Sequence, residues 1–159
     1  MKSVFWLVRD SIAGRPGPQM EPWSLPELRE AGFQAVLNLS EHAPDFEAMR
    51  SAGIEASWVA LPTDVPPTGK TAEKCLQALP QAWNFLSAQL ASGRRVLVHC
   101  YAGKDRTGLL LALYVARCHG LNPAAAIAKV RETRGLALTA PGWEGLALEV
   151  IPRMLATLP

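Results

Sequence analysis

The stretch that most constrains the fold is Arg95–Gly108, RVLVHCYAGKDRTG. A short apolar run ends in His99, a glycine-containing loop follows, and the segment from Thr107 to about His119 reads as an apolar helix closed by Gly120. A buried strand that feeds a helix through a short loop is half of a parallel βα unit. The rest of the chain repeats the alternation. Val4–Val8 and Ser11–Ala13 read as strands paired across the Arg9–Asp10 turn. Ser24 and Glu27 have capping-box spacing for a helix over Leu25–Ala31, stopped by Gly32. Phe33–Leu39 reads as a buried strand, Asp45–Ala52 as a short helix, and Ile54–Leu61 as another strand.

Thr71 is placed as the cap of a long helix to about Ser92, with a kink expected at Pro80. Asn122 and Pro123 open a further helix that ends at Gly135. Pro141–Leu158 reads as a last helix, interrupted near Pro152. These elements predict an α/β fold, one domain over residues 1–159. Its centre is a mostly parallel sheet of four to five strands with helices on both faces. Sites in such sheets form beyond the carboxyl ends of the strands, which directs attention to the residues after His99.

Composition narrows the function classes. With 49% hydrophobic and 19% charged residues among 159, the chain is not of the disordered type. A net charge of +2 supplies no basic field for nucleic acid or for a polybasic membrane anchor. The apolar run near the N-terminus is too short for a signal core or a membrane span, so the expected location is cytoplasmic. Three cysteines, Cys75, Cys100 and Cys118, do not read as a disulfide framework and suit a reducing compartment. Cys75 and Cys118 lie in apolar helix context and read as packing residues.

Cys100 is different. Five residues separate it from Arg106, and Thr107 follows at a helix start. Cysteine-to-arginine spacing alone is weak; the strand before it, His99, the mid-loop Gly103 and the Thr-Gly after it make it specific. A loop curling into a helix N-terminus aims backbone N–H groups and the positive end of the helix dipole at one point. Tyr101, Ala102, Gly103, Lys104 and Asp105 would supply that backbone cradle for phosphate, and Arg106 a forked guanidinium. The same field favours a Cys100 thiolate as nucleophile. Thr107 would donate its hydroxyl to the sulfur, and His99 would hold the base of the loop.

On these residues the chain resembles the cysteine-dependent protein tyrosine phosphatase superfamily, whose phosphate-binding loop is His-Cys-x5-Arg-Thr-Gly. It is most similar to the small atypical dual-specificity phosphatases. The segments FWLVRDSIAGRPGP and LPELREAGFQAVLNLSEH resemble the first strands and first helix of that group. The resemblance implies an acid loop upstream of the cysteine. Leu61–Pro67, LPTDVPP, fits, with Asp64 the one acidic residue between Glu55 and Glu73. It would protonate the leaving oxygen and then activate water. Members of this size often carry a glutamine before the last helix to position that water. The stretch Arg134–Glu144 has none, and Thr139 is the candidate replacement. The sequence Ala-Gly-Lys-Asp-Arg is similar to that of lipid-directed and bacterial phosphatases, so Lys104 is either a second phosphate contact or a solvated lysine.

The activity implied is metal-independent and cofactor-free phosphomonoester hydrolysis by a monomer. Its substrate would be a protein bearing phosphotyrosine, phosphoserine or phosphothreonine. The alternatives are a phosphoinositide or other small phosphorylated substrate, and, in another class, a phospho-ligand binding module without turnover. Loop length disfavours rhodanese-type sulfur transfer, and the order of acid before cysteine disfavours the low-molecular-weight phosphatases and related arsenate reductases. Arg15 and Arg134 read as surface charges, with a place near the pocket rim as the alternative; Tyr101 reads as a loop wall, and the five tryptophans as core, with Trp143 lining the site as its alternative.

Overall fold

A computed structural model describes residues Met1–Pro159. Five strands form one sheet: β1 Phe5–Val8, β2 Ile12–Arg15, β3 Ala35–Asn38, β4 Glu55–Trp58 and β5 Val96–His99. Their spatial order is β1-β2-β5-β3-β4. Only β1 runs antiparallel, paired with β2; the β2–β5, β5–β3 and β3–β4 pairs are parallel. The helices are α1 Leu25–Glu30, α2 Phe46–Ser51, α3 Thr71–Ala91, α4 Asp105–Cys118, α5 Pro123–Arg131 and α6 Trp143–Leu155.

The two-residue alternation of strands builds two cores. Ala13, Val36 and Leu97 face one side, where Leu28 of α1 and Met49 of α2 cover them. Ile12, Ala35, Leu37, Val96 and Val98 face the other, against α3, α4, α5 and α6. Central strand β5 is buried along its whole length, as a parallel strand covered on both faces must be.

Local chemistry accounts for most boundaries. Ser24 accepts from the Glu27 amide at 3.2 Å and caps α1. Asp45 and Asn122 cap α2 and α5 in the same way. Several expectations need correction. Helix α3 starts at Thr71 after an uncapped Lys70, and the Thr71 hydroxyl instead accepts from the Thr68 amide at 2.8 Å. Helix α6 is not interrupted but continues through Pro152, which lies on an exposed position where its ring displaces no packing. Helix α4 begins two residues earlier than Thr107, and α5 stops at Arg131 rather than Gly135. Only Trp143 of the five tryptophans is buried, and Trp58 is exposed. Cys75 is buried in the core as expected, whereas Cys118 ends α4 exposed.

Candidate active site

Strand β5 delivers His99 and then Cys100 to the carboxyl edge of the sheet, with His99 in register with Arg15 of β2 and Asn38 of β3. The chain then loops from Cys100 into α4. Gly103 has φ +65 and lies so close to the Arg15–Pro16 backbone that a Cβ would stand 2.7 Å from the Arg15 carbonyl. Both facts require glycine there.

The loop's carbonyls are bound from outside. Gly17 N–H donates to the Tyr101 carbonyl at 2.8 Å. Arg134 donates Nη2 to the Ala102 carbonyl at 2.8 Å and Nε to the Gly103 carbonyl at 3.2 Å. In a trans peptide the N–H points opposite the C=O. Anchoring three successive carbonyls outward therefore turns the N–H groups of Ala102, Gly103 and Lys104 inward. Those three and the Tyr101 N–H have no partner within the chain. Four adjacent orphan donors next to a buried sulfur make an anion cradle.

Within that cradle Cys100 is buried, and the Thr107 hydroxyl donates to its Sγ at 3.2 Å. Arg106 side chain is only 11% exposed and its Nη1 donates to Glu41 Oε2 at 2.6 Å. That bond holds the Glu41 carboxyl below the ordinary carboxylate range. Glu41 follows β3, so it stands at the same edge of the sheet; the sequence reading missed it, although its place just after a buried strand was visible. With one arm fixed, the guanidinium is oriented and its remaining donors are free for an oxyanion.

Below the loop His99 is 2% exposed, and its Nδ1 lies 3.1 Å from the Cys100 carbonyl oxygen. Burial pushes its pKa from 6.5 down to about 4 against the opposing pull of that carbonyl, so the ring is neutral at pH 7. Trp23 meets the imidazole edge-on at 4.9 Å. Arg15 is a correction: it is 2% exposed and buried among carbonyls of Lys2, Pro16 and Glu21, with Trp23 5.0 Å from its guanidinium carbon. Arg134 is likewise no free surface charge, since it braces the loop.

Of the two neighbouring loops, the one before α6 is bonded to the start of α4, whereas the Asp64 loop is held by α3 and α6. Asp64 is half-buried; its Oδ2 accepts from Thr71 Oγ1 at 3.0 Å and its carbonyl from Trp143 Nε1 at 2.8 Å. Burial and then the Asp64 charge push the nearby Cys75 thiol up to about 12, which leaves it inert. Asp105 Oδ1 accepts from the Ala140 amide at 3.2 Å, so its carboxylate faces the loop before α6 and not the cradle. Thr139 is exposed and donates its hydroxyl to the Leu136 carbonyl at 2.7 Å, a bond inside its own turn. The structure thus brings His99 and Thr107 into direct contact with Cys100, holds Arg106 through Glu41, and keeps Asp64 and Thr139 in separate bonded loops. Tyr101 is exposed, and the half-buried Lys104 side chain has no partner.

A buried cysteine at the end of a central parallel strand, ringed by unpaired amides, is the architecture of cysteine-dependent phosphatases. The chain belongs to the dual-specificity phosphatase family: the family model "Dual specificity phosphatase, catalytic domain" matches residues 19–145. Dual specificity protein phosphatase 12 of Homo sapiens is 34% identical over 90 residues, which are 57% of this chain and 25% of that protein. Phosphatidylglycerophosphate phosphatase PTPMT1 of Arabidopsis thaliana is 25% identical over 126 residues, 79% of this chain and 36% of that protein. The chain therefore spans well under half the length of either relative. The crystal structure of Tk-PTP in its active form superposes with a TM-score of 0.75 at 20% identity, over 99% of both chains, which attests the fold. No helix is long and apolar enough to cross a membrane.

Proposed function

We propose that the protein hydrolyses phosphomonoesters through a cysteinyl-phosphate intermediate. The observation that carries this reading is the set of orphan N–H groups from Tyr101 to Lys104 around a sulfur that Thr107 already hydrogen-bonds. Cys100 Sγ attacks phosphorus, forming the S–P bond as the P–O bond to the leaving group breaks. Arg106 and the loop amides stabilise the equatorial oxygens. Asp64, as the acid, gives its proton to the departing oxygen; as carboxylate it then takes a proton from water, whose oxygen attacks phosphorus and releases the Cys100 thiolate. Thr107 supports the sulfur in both states. Thr139 would position that water only by releasing its hydroxyl from the Leu136 carbonyl. No metal or cofactor takes part in the proposed steps.

The substrate proposed is a protein bearing phosphotyrosine, phosphoserine or phosphothreonine, in keeping with the name of the human relative. One observation favours a second reading, a phosphoinositide or other phospholipid: Lys104 is unpaired beside the cradle, and the Arabidopsis relative is named a phosphatidylglycerophosphate phosphatase. We read residues 1–159 as one catalytic domain, monomeric and cytoplasmic, without a nucleic-acid partner. A single continuous sheet, three free cysteines and a net charge of +2 support that reading.

The test is hydrolysis of p-nitrophenyl phosphate from pH 5 to 8 in excess EDTA, for wild type and Cys100→Ser. Activity that survives EDTA and is lost in the variant is the expected result. No activity in wild type, with phosphate still bound, would make the chain a non-catalytic phospho-ligand module instead. Comparing wild type and Lys104→Ala on phosphopeptide and on a short-chain phosphoinositide separates the two substrates, since a loss confined to the inositide supports the lipid reading.

A further inference from the structure

On the face of the sheet opposite Cys100, a cavity of about 280 Å³ lies between β3, β4 and the α1–α2 side. Trp23, Leu25, Val36, Pro44 and Met49 give it apolar walls, the Trp23 indole supplying a flat face, and His99 also lines it. Its size is at the small end of ligand sites, which run from ~300 Å³ upward. None of its 15 lining residues is Lys or Arg, so it is not a second phosphate subsite.

The lining carries one defined polar handle. A carbonyl oxygen only accepts, so His99 Nδ1 carries the hydrogen it shares with the Cys100 carbonyl. The ring is neutral, which leaves a lone pair on Nε2. That atom has no partner in the chain, yet no fully occluded polar side-chain atom lacks one. Its open side therefore faces the cavity that His99 lines. The neighbouring Asn38 amide is already spent, donating to the His42 carbonyl at 2.7 Å and accepting from the Ser40 amide and hydroxyl.

We propose that this cavity is a binding site for a small neutral aromatic molecule bearing one N–H or O–H donor, which it gives to His99 Nε2. The lack of Lys and Arg and the lone pair disfavour an anion, and the one carboxylate in the lining, Asp45, is exposed and already accepts from the Ala48 amide, so no buried charge is there to pair a cation. An aromatic occupant follows from the Trp23 indole in the lining, against which a flat ring can pack. The occupant is felt at the cysteine loop by two routes. Donation to Nε2 polarises the imidazole and strengthens its Nδ1–H bond to the Cys100 carbonyl. The Ser40–His42 segment at the cavity edge also carries Glu41, the partner of Arg106.

Binding is read on the protein itself, so it does not depend on hydrolysis. The probe is indole, titrated into ¹⁵N-labelled protein, with indene as a control of the same shape that lacks the N–H. We expect saturable indole binding, a displaced His99 Nε2 resonance, and shifts in the Tyr101–Gly103 amides. Indene should bind about tenfold more weakly, the net worth of one hydrogen bond. Ala48→Trp, which fills the cavity from α2, should abolish indole binding and leave p-nitrophenyl phosphate turnover unchanged. Nuclear Overhauser contacts from indole to Met49 and Trp23 give a second readout that does not rely on the variant. Equal binding of indole and indene, an unmoved Nε2 resonance, or no saturable contact with Met49 and Trp23 up to the solubility of indole would overturn the proposal.

Discussion

His99 makes stability depend on pH in a window set by its own burial. The unfolded ring takes a proton near pH 6.5, the folded ring only near about 4. Between those values the unfolded state holds more protons than the native one, so the free energy of unfolding falls as pH falls. The contribution is full above 6.5, declines from there, and is lost below about 4. At about 1.4 kcal/mol per pH unit, the window amounts to about 3 kcal/mol. For a domain stable by ~5–15 kcal/mol that is a large share. The assay is urea denaturation at pH 7, 6, 5 and 4.5, followed by tryptophan fluorescence, to which the buried Trp143 contributes. His99→Gln keeps a donor toward the Cys100 carbonyl but does not titrate. The difference between wild type and variant should shrink toward low pH by most of that amount. Glu41, whose carboxyl is also held low, loses its own stabilising charge in acid in both proteins and cancels from the difference. Parallel curves for the two proteins, or a His99 titration midpoint near 6.5 by NMR, would refute the reasoning.

Four further outcomes are expected. Arg134→Ala removes two charge-assisted bonds to loop carbonyls, and should cost about 2 kcal/mol in urea denaturation and broaden the Tyr101–Gly103 amide resonances, with Arg134→Lys intermediate. Gly103→Ala places a Cβ 2.7 Å from the Arg15 carbonyl at a positive φ, and calorimetric binding of inorganic phosphate should drop at least about tenfold. Asp64→Asn should slow kcat about 10²–10⁴-fold on phenyl phosphate and far less on p-nitrophenyl phosphate, because only the poorer leaving group needs the proton; equal losses on both esters would remove Asp64 from the acid role. Glu41→Gln should change stability by under about 1 kcal/mol, as an exposed pair does, while steady-state kinetics show a raised KM as Arg106 loses its orientation.

What the sequence revealed divides by the range of the forces involved. The β5–α4 unit was legible because its signals are local: a four-residue apolar strand, a glycine at a positive φ, and a threonine in the first turn of a helix. The capping residues Ser24 and Asn122 were legible for the same reason, whereas Asp45, read as the first residue of α2, is its cap. Arg15 was not legible, because its partners are the carbonyls of Lys2 and Glu21, brought together only by the fold. Arg134 looked like the tail of α5, whereas the helix gives up those residues so that the guanidinium can reach the loop from 31 and 32 positions away. Glu41 had no local pattern beyond following a strand, and its meaning appears only when α4 sets Arg106 opposite it. Pro152 misled because the cost of a proline to a helix is fixed, while the packing of α6 that outweighs it is tertiary.

The missed residues share a physical logic. A short loop of five residues between Cys100 and Arg106 has as many carbonyls as amides, and both cannot face one anion. A cradle needs the carbonyls removed from the centre and satisfied elsewhere, or their negative ends would cancel the field of the N–H groups. Arg134 and the Gly17 amide do this from outside the loop, and His99 does it for the Cys100 carbonyl from below. His99 must be neutral and tautomerically fixed to serve as a single donor there, which is what burial enforces. The positive character of the site is therefore built as much by groups that hold carbonyls away as by Arg106; His99 stands in the motif itself, whereas Arg134 and Gly17 lie where a motif of consecutive residues carries no record of them.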